Sequence, residues 1–184
     1  MAIDPQMLAQ VLRTPESRDV TESPIVRAII LTDAANVADL VPALERPDTL
    51  EAYNARRISC LFDATAVSPL LTRLQTAGPN ARKEGIEILW AILSGEDART
   101  VRQVLTAVQD ELDTLFEDTQ PIPDQMPDHI ERDFRGRICD LAYIAVQLML
   151  SPEFDQSLFR SLDDQGRNDE IRRFKTRALA PRIA

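Results

Sequence analysis

The chain has 184 residues and a formal net charge of −9, and its 44% apolar and 28% charged residues are typical of one globular domain over residues 1–184. No apolar run approaches the roughly 20 residues of a membrane-spanning helix, which argues against a transmembrane segment. The acidic balance argues against DNA or RNA as a partner, because nucleic-acid affinity comes largely from Lys and Arg side chains at phosphates.

The N-terminal residues predict a short helix, a polar linker and a second helix. Asp4 is suited to cap a helix over 5–12, with Pro5 in its first turn. Residues 14–22 are polar and predict a linker, and Ser23-Pro24 then opens an apolar helix through Leu31. Residues 1–12 have no early Lys or Arg and do not resemble a secretion signal. Cys60 and Cys139 lie among apolar residues and favour reduced thiols over a disulfide, so we expect a cytoplasmic protein.

Three segments then repeat one pattern, an Asp-Ala pair followed by apolar residues four, seven, eight and eleven positions after the Asp. Repetition at a spacing of about 20–50 residues is typical of stacked helical repeats. An Asp at a helix N-terminus accepts hydrogen bonds from free backbone N–H groups, and the apolar positions fall along one helix face. We therefore predict caps at Asp33, Asp63 and Asp97 and equivalent inward positions at Val37, Leu40, Leu44, Val67, Leu70, Leu74, Val101, Leu105 and Val108.

Other helices are predicted around these copies. Pro42 and Pro69 should bend or divide the first two copies. Asp48 and Glu51 form a capping-box-like pair before a helix, and a break at 78–80 precedes a longer helix that ends at Ser94-Gly95. The first of these helices carries Leu50, Tyr53, Ile58, Leu61 and Phe62; the second carries Ile86, Leu89, Trp90, Ile92 and Leu93, which we assign to the core.

The third copy is predicted to continue as one helix through Phe116, followed by a proline-rich loop over 117–128 that forms the clearest internal boundary. Capping helices are then expected over 129–184. The first runs from Ile130 and Phe134 to Leu148, and the second begins at Ser151-Pro152 with Phe154, Leu158 and Leu162. Gly166 and Asn168 introduce the last, basic helix, which carries Ile171, Phe174 and Leu179.

Residues 63–93 show the order DATAV, SPLLTRLQ, TAGPN, ARKEGIEILWAIL, which resembles an armadillo or HEAT-type repeat. VSPLLTRL is similar to the second helix of that family and ILWAIL to the apolar core of its third helix, and the resemblance covers a repeat core at 33–116. It implies an all-α, short right-handed solenoid with terminal capping helices and a concave face for protein binding. Ala38 and Ala66 stand near the usual glycine, and no asparagine lies near Trp90, so the family's asparagine-based peptide grip is not implied.

Charge is distributed unevenly along the chain. Residues 166–184 carry six basic and two acidic side chains, a balance of +4, and the remaining 15 basic and 28 acidic side chains give −13. We expect the basic helix to cap the repeats; the alternative is a surface for an acidic partner, and we do not expect peripheral membrane contact. The candidate partner-binding residues are Asp110, Glu111, Asp113, Glu117 and Asp118, and Arg172, Arg173 and Lys175.

The acidic candidates have alternatives of their own. They could bind a basic protein or a divalent cation, or form an ordinary solvated face. Carboxylates at the end of one continuous helix would oppose its dipole, which is a hint toward binding.

No motif for catalysis, a cofactor or a metal is present. His129 has no second ligand at metal-binding spacing, and Cys60 and Cys139 lie among apolar residues, which predicts buried, reduced thiols. We therefore expect a non-enzymatic protein–protein interaction module: an adaptor, scaffold or regulatory subunit. The alternative is an acidic inhibitor, such as an immunity-type protein that blocks a basic enzyme or toxin, and the lesser alternative is a helical-repeat enzyme acting on nucleic acid.

Overall fold

The computed structural model describes residues 3–15, 18–123, 136–151 and 153–178, and these are all-α, as expected. Within these ranges the only β pairing is an isolated antiparallel bridge between Pro121 and Arg137. The chain divides into two compact units, Met1–Gly95 and Glu96–Ala184. The boundary between these two units falls before the third copy.

The first unit contains α-helices and short 3₁₀ helices. The α-helices are α1 (Pro5–Leu12), α2 (Pro24–Thr32), α3 (Val37–Leu40), α4 (Leu50–Ser59), α5 (Val67–Leu74) and α6 (Pro79–Leu93), and the 3₁₀ helices are Val20–Glu22, Ala34–Asn36, Val41–Glu45 and Ala64–Ala66. The second unit contains α7 (Ala98–Ala107), α8 (Gln109–Phe116), α9 (Ile138–Leu150), α10 (Gln156–Arg160) and α11 (Asp164–Ala178).

The three repeated aspartates are caps, as predicted. Each accepts a hydrogen bond from the backbone N–H two residues later, at 2.9 Å for Asp33 and Asp63 and 2.8 Å for Asp97. Asp33 and Asp63 cap 3₁₀ helices that lead directly into α3 and α5, whereas Asp97 caps α7 itself. Hydrogen bonds from the Thr65 and Thr100 hydroxyls and the backbone lower the pKa of Asp63 and Asp97.

The predicted inward positions of the three copies are all buried. Every one of the nine predicted inward residues is at most 4% exposed. Within the first unit, the 3₁₀ helices at 34–36 and 64–66 contact each other, as do α3 and α5, and α4 and α6. Equivalent elements of the first two copies therefore lie side by side.

A single glycine permits the close approach of α5 and α6. A Cβ atom at Gly85, inside α6, would lie 2.4 Å from Cδ1 of Leu74, so no larger residue fits without displacing that buried leucine. Glycine is unfavourable within a helix, and here helix packing explains its presence.

Truncating a buried leucine of the second copy should strongly destabilise the first unit. Leu71 is 1% exposed on α5, and we expect Leu71→Ala to lower the free energy of unfolding by about 2–5 kcal/mol, because the truncation leaves a cavity in a packed core. Urea unfolding followed by far-ultraviolet circular dichroism measures the change. Thr72→Ala, at the exposed neighbouring position, should change stability by less than about 0.5 kcal/mol.

The first two copies are divided into shorter helices as predicted, whereas the third copy departs from the prediction. Pro42 lies in the 3₁₀ helix Val41–Glu45, so the first copy is divided as predicted. The second copy is likewise divided into a short piece, the 3₁₀ helix Ala64–Ala66, and the longer α5, with Pro69 in the first turn of α5, where its missing N–H costs nothing. The prediction of one helix from Asp97 to Phe116 is wrong, because Val108 has φ −111° and ψ 25° and separates α7 from α8.

Two details near the N-terminus also differ from the sequence-based expectation. The cap of α4 is Thr49 and not Asp48, because the Thr49 hydroxyl accepts the Ala52 N–H at 3.2 Å. The polar linker includes the 3₁₀ helix Val20–Glu22, and Val20 is completely buried.

The helices after the proline-rich loop begin at other residues than predicted. The Ile122 N–H donates to Gly136 and the Ile138 N–H donates to Gln120, which keeps residues 136–137 out of a helix, so α9 begins at Ile138. Residues 124–135, which include His129, Ile130 and Phe134, lie outside the described part of the chain, as do Pro152 and 179–184.

In the second unit, Leu158 and Leu162 are 68% and 40% exposed, and Phe159 between them is buried. The last helix begins at Asp164 and contains Gly166, because the Asp163 carboxylate accepts the Gly166 N–H at 2.8 Å.

Candidate interaction surfaces

The acidic candidates lie on α8, and the break at Val108 changes their electrostatic setting. Asp110 is exposed and Glu111 is half-buried, both in the first turn of α8. Negative charge is favourable at a helix N-terminus. Their position therefore needs no compensating partner, in contrast to the expectation for one continuous helix.

Two further acidic candidates, Asp113 and Glu117, form ion pairs with the basic candidate Lys175. The Lys175 ammonium lies 3.2 Å from Oδ1 of Asp113 and 3.0 Å from Oε1 of Glu117. Burial opposes the charged form of Lys175, but the hydrogen bonds to Glu117 and Asp113 outweigh it and raise its pKa. Asp118 is only 8% exposed and accepts the Gln120 N–H at 3.0 Å, so it does not belong to an exposed acidic surface.

The other basic candidates are exposed and form ion pairs on their own helix. Arg172 lies 3.0 Å from Asp169 and Arg173 lies 3.2 Å from Glu170, each across one turn of α11. Exposed pairs of this kind contribute about 0–1 kcal/mol. Much of the basic charge of this helix is thus balanced by its own carboxylates.

Below these ion pairs, α11 packs against α8 and α9 through aromatic contacts. The Phe174 ring meets Phe116 at a centroid distance of 6.1 Å and Tyr143 at 5.5 Å, both edge-to-face. Ile171 and Phe174 are 4% and 7% exposed. The described part of the basic helix is therefore packed within the second unit, in line with the capping interpretation.

A buried ion cluster joins α9 to α11. Asp140 is fully buried, and its carboxylate accepts hydrogen bonds from Nη2 and Nε of Arg137 at 2.8 and 3.1 Å. Arg167 lies 3.5 Å from the same carboxylate and also pairs with Asp164. The hydrogen bonds to Asp140 raise the pKa of Arg137. Of this cluster, the sequence offers only the local spacing of Arg137 and Asp140.

In the first unit, three large apolar or aromatic side chains are exposed. Tyr53 on α4 is 43% exposed, Leu61 in the turn after α4 is 44% exposed, and Trp90 on α6 is 48% exposed. The core prediction is wrong for Trp90. Trp90 is the only tryptophan of the chain.

An ion-pair network connects the two helices that carry these residues. Arg56 on α4 lies 2.9 Å from Glu84 and 3.9 Å from Glu87, both on α6. Glu87 precedes Trp90 by three residues, so both lie on the same side of α6. We refer to the surface formed by Tyr53, Arg56, Arg57, Leu61, Glu87 and Trp90 as the α4–α6 face.

The arginines of the α4–α6 face already have partners. The Arg57 guanidinium lies 5.7 Å from the centre of the Tyr53 ring and 2.9 Å from Asp19. Lys83 and Glu84 are each 3% exposed and 3.4 Å apart, so Glu84 joins Arg56 to a buried ammonium group. The face therefore combines exposed aromatic rings with paired charges.

The two cysteines are free thiols in different environments. Cys139 is 1% exposed, and its burial, with a contribution from the adjacent Asp140 charge, raises its pKa to about 11. Cys60 is exposed, which corrects the prediction of a buried thiol at this position. Cys139 is thus protonated and unreactive at neutral pH.

Within the described ranges, no group of three or more His, Cys, Asp and Glu side chains is arranged to hold a metal ion. No helix there is both long enough and apolar enough to cross a membrane.

Comparison with protein-family models, curated proteins and solved structures gives no match. The resemblance of 33–116 to armadillo and HEAT-type repeats rests on the sequence pattern.

Proposed function

We propose that this protein is a non-enzymatic interaction module, an adaptor, scaffold or regulatory subunit, that binds another protein through a helical-repeat surface of armadillo or HEAT type. The observation that carries the proposal is the exposure of Tyr53, Leu61 and Trp90 on the α4–α6 face. Aromatic side chains are enriched at the centres of protein interfaces, where they dominate binding energy.

The paired charges of this face also suit a protein partner. Burying an unpaired charge in an interface is costly. Because Arg56 is paired with Glu84 and Arg57 with Asp19, a partner can cover the aromatic rings without supplying counter-charges. A partner that contacts this face through apolar side chains satisfies these conditions.

The repeat resemblance supports a protein-binding role, because it implies a concave face for protein binding. In the order of elements, α6 is the long third helix of the repeat at 63–93, and α4 holds the corresponding position after the first copy. Trp90 lies in the segment ILWAIL that carries the resemblance. The free thiols of Cys60 and Cys139 suit a reducing compartment, and we propose a cytoplasmic location.

A second candidate function is an acidic inhibitor of a basic enzyme or toxin. Its support is the net charge of −9 together with Asp110 and Glu111 on α8. A negative surface accelerates association with a positively charged active site. The same overall charge disfavours the third alternative, an enzyme that acts on nucleic acid.

Trp90→Ala is expected to weaken partner binding by a factor of about 30 or more, the range of an interface hot spot. The partner is first captured from the native cell with the full chain, identified, purified and shown to bind directly. Isothermal titration calorimetry then compares the dissociation constants of the parent chain and the variant.

Met7→Ala is the matched control, because Met7 is also a large apolar residue of the first unit and is 41% exposed. It should leave the dissociation constant unchanged. A one-to-one complex with a basic enzyme that is weakened by Asp110→Asn/Glu111→Gln and not by Trp90→Ala would replace the interaction-module proposal with the inhibitor.

A further inference from the structure

The second unit has an exposed apolar surface of its own around α10. Leu158 is 68% exposed and Leu162 is 40% exposed. We refer to the surface formed by Leu158, Leu162 and the nearby carboxylates of Glu153, Asp155, Asp163 and Asp164 as the α10 corner.

Packing on the opposite side of α10 fixes the outward position of Leu158. Phe159 is 3% exposed and its ring lies 4.4 Å from that of Tyr143, centre to centre. Asp155 caps the helix by accepting the Ser157 N–H at 2.9 Å. Because α10 has only five residues, anchoring Phe159 inward leaves Leu158 on the side that faces water.

A glycine places Leu162 against the first turn of α11. A Cβ atom at Gly166 would lie 3.2 Å from Cβ of Leu162 and 3.1 Å from Oδ1 of Asp163. A side chain at this position would therefore crowd Leu162 and Asp163, and they would have to shift by a few tenths of an ångström. This turn also brings an apolar side chain and a carboxylate together at one point.

The charge around these leucines is negative. Glu153, Asp155, Asp163 and Asp164 are all exposed, and residues 153–164 contain only one basic residue, Arg160, for a net charge of −3. Asp164 is paired with Arg167 of α11, so Glu153, Asp155 and Asp163 carry most of the charge that a partner meets. The Arg160 guanidinium donates to Gln156 at 3.0 Å. Each carboxylate has about four lone-pair sites, so the caps formed by Asp155 and Asp163 leave acceptor capacity for further donors.

We propose that the α10 corner binds a basic amphipathic helix of a partner protein. Apolar residues at spacings of three and four on that helix cover Leu158 and Leu162, and its Lys and Arg side chains meet the surrounding carboxylates. The negative charge repels nucleic acid and anionic membranes, which leaves a basic protein segment as the complementary occupant. This site lies in the second unit and does not depend on the α4–α6 face.

The test is a selection of phage-displayed random 15-residue peptides on the full chain, with counter-selection on the Leu158→Ala variant. We expect the surviving peptides to carry apolar residues at helical spacing with Lys or Arg between them. For a synthetic copy of such a peptide, Leu158→Ala should weaken binding about tenfold or more, since it removes most of the buried apolar area. Glu153→Gln should weaken it less and reduce its dependence on salt.

Two controls separate this site from the other surfaces. Asp110→Asn/Glu111→Gln removes acidic charge elsewhere in the second unit, and Trp90→Ala alters the α4–α6 face; neither should change peptide binding. Selected peptides that are acidic or lack basic residues, or a selection that yields no clone dependent on Leu158, would overturn the proposal. Loss of binding with Asp110→Asn/Glu111→Gln but not with Leu158→Ala would overturn it as well.

Discussion

Phe174→Ala is expected to lower the free energy of unfolding of the second unit by about 3–5 kcal/mol. Phe174 is 7% exposed and lies edge-to-face against both Phe116 and Tyr143. Its truncation leaves a cavity and also removes two aromatic pairs, each contributing about 0.5–1.5 kcal/mol beyond the buried area. Chemical unfolding and hydrogen exchange of the α8 and α9 amides measure the loss.

Deletion of residues 168–184 tests whether this C-terminal segment, which includes most of α11, acts as a cap. A cap predicts a lower melting temperature and new binding of a hydrophobic dye, because Ile171 and Phe174 no longer cover their neighbours. Arg173→Ala is the control: its side chain is 65% exposed and paired with Glu170, so the change should be below about 1 kcal/mol. Unchanged melting after the deletion, combined with lost partner binding, would identify the segment as a recruitment arm.

The features that the sequence predicts well are encoded within about a dozen consecutive residues. The cap at Asp63 and the buried apolar positions through Leu74 can be predicted from the neighbouring residues alone, because an N-cap and a 3.6-residue period are both short-range properties. The helix that begins at Pro5 after Asp4 was predicted for the same reason and is confirmed.

The exposed position of Trp90 could not be derived from periodicity. Apolar residues occur around much of α6, and Ile86, Ile88, Leu89, Ile92 and Leu93 are all buried. Helical spacing groups Trp90 with Ile86 and Leu93. The side of α6 that stays open is decided by where the 3₁₀ helix Val41–Glu45, α5 and α4 pack, which is tertiary information.

The errors in the second unit have a similar origin. The start of α9 is set by hydrogen bonds between 120–122 and 136–138, across a segment rich in prolines. The Asp140 cluster joins residues separated by 27 positions. Neither arrangement leaves a periodic trace in the sequence, although both determine where the C-terminal helices lie.

The Asp140 cluster leads to a second prediction of large effect. Asp140→Asn keeps the shape of the side chain but removes the negative charge that faces Arg137 and Arg167, whose side chains are 13% and 10% exposed. Breaking a buried ion pair by neutralising one partner typically costs about 3–5 kcal/mol, because a charge then stays buried without compensation. Urea unfolding of the variant and the parent chain measures the difference.

Asp169→Asn is the matched control for the buried carboxylate, because Asp169 forms an ion pair of similar geometry, 3.0 Å to Arg172, on an exposed part of α11. Its removal should cost less than about 1 kcal/mol. Equal effects of the two substitutions would mean that water reaches Arg137 and Arg167 and compensates their charge. A large effect of Asp140→Asn alone would instead show that the guanidinium groups depend on this one carboxylate, and that the start of α9 and the start of α11 are held together through it.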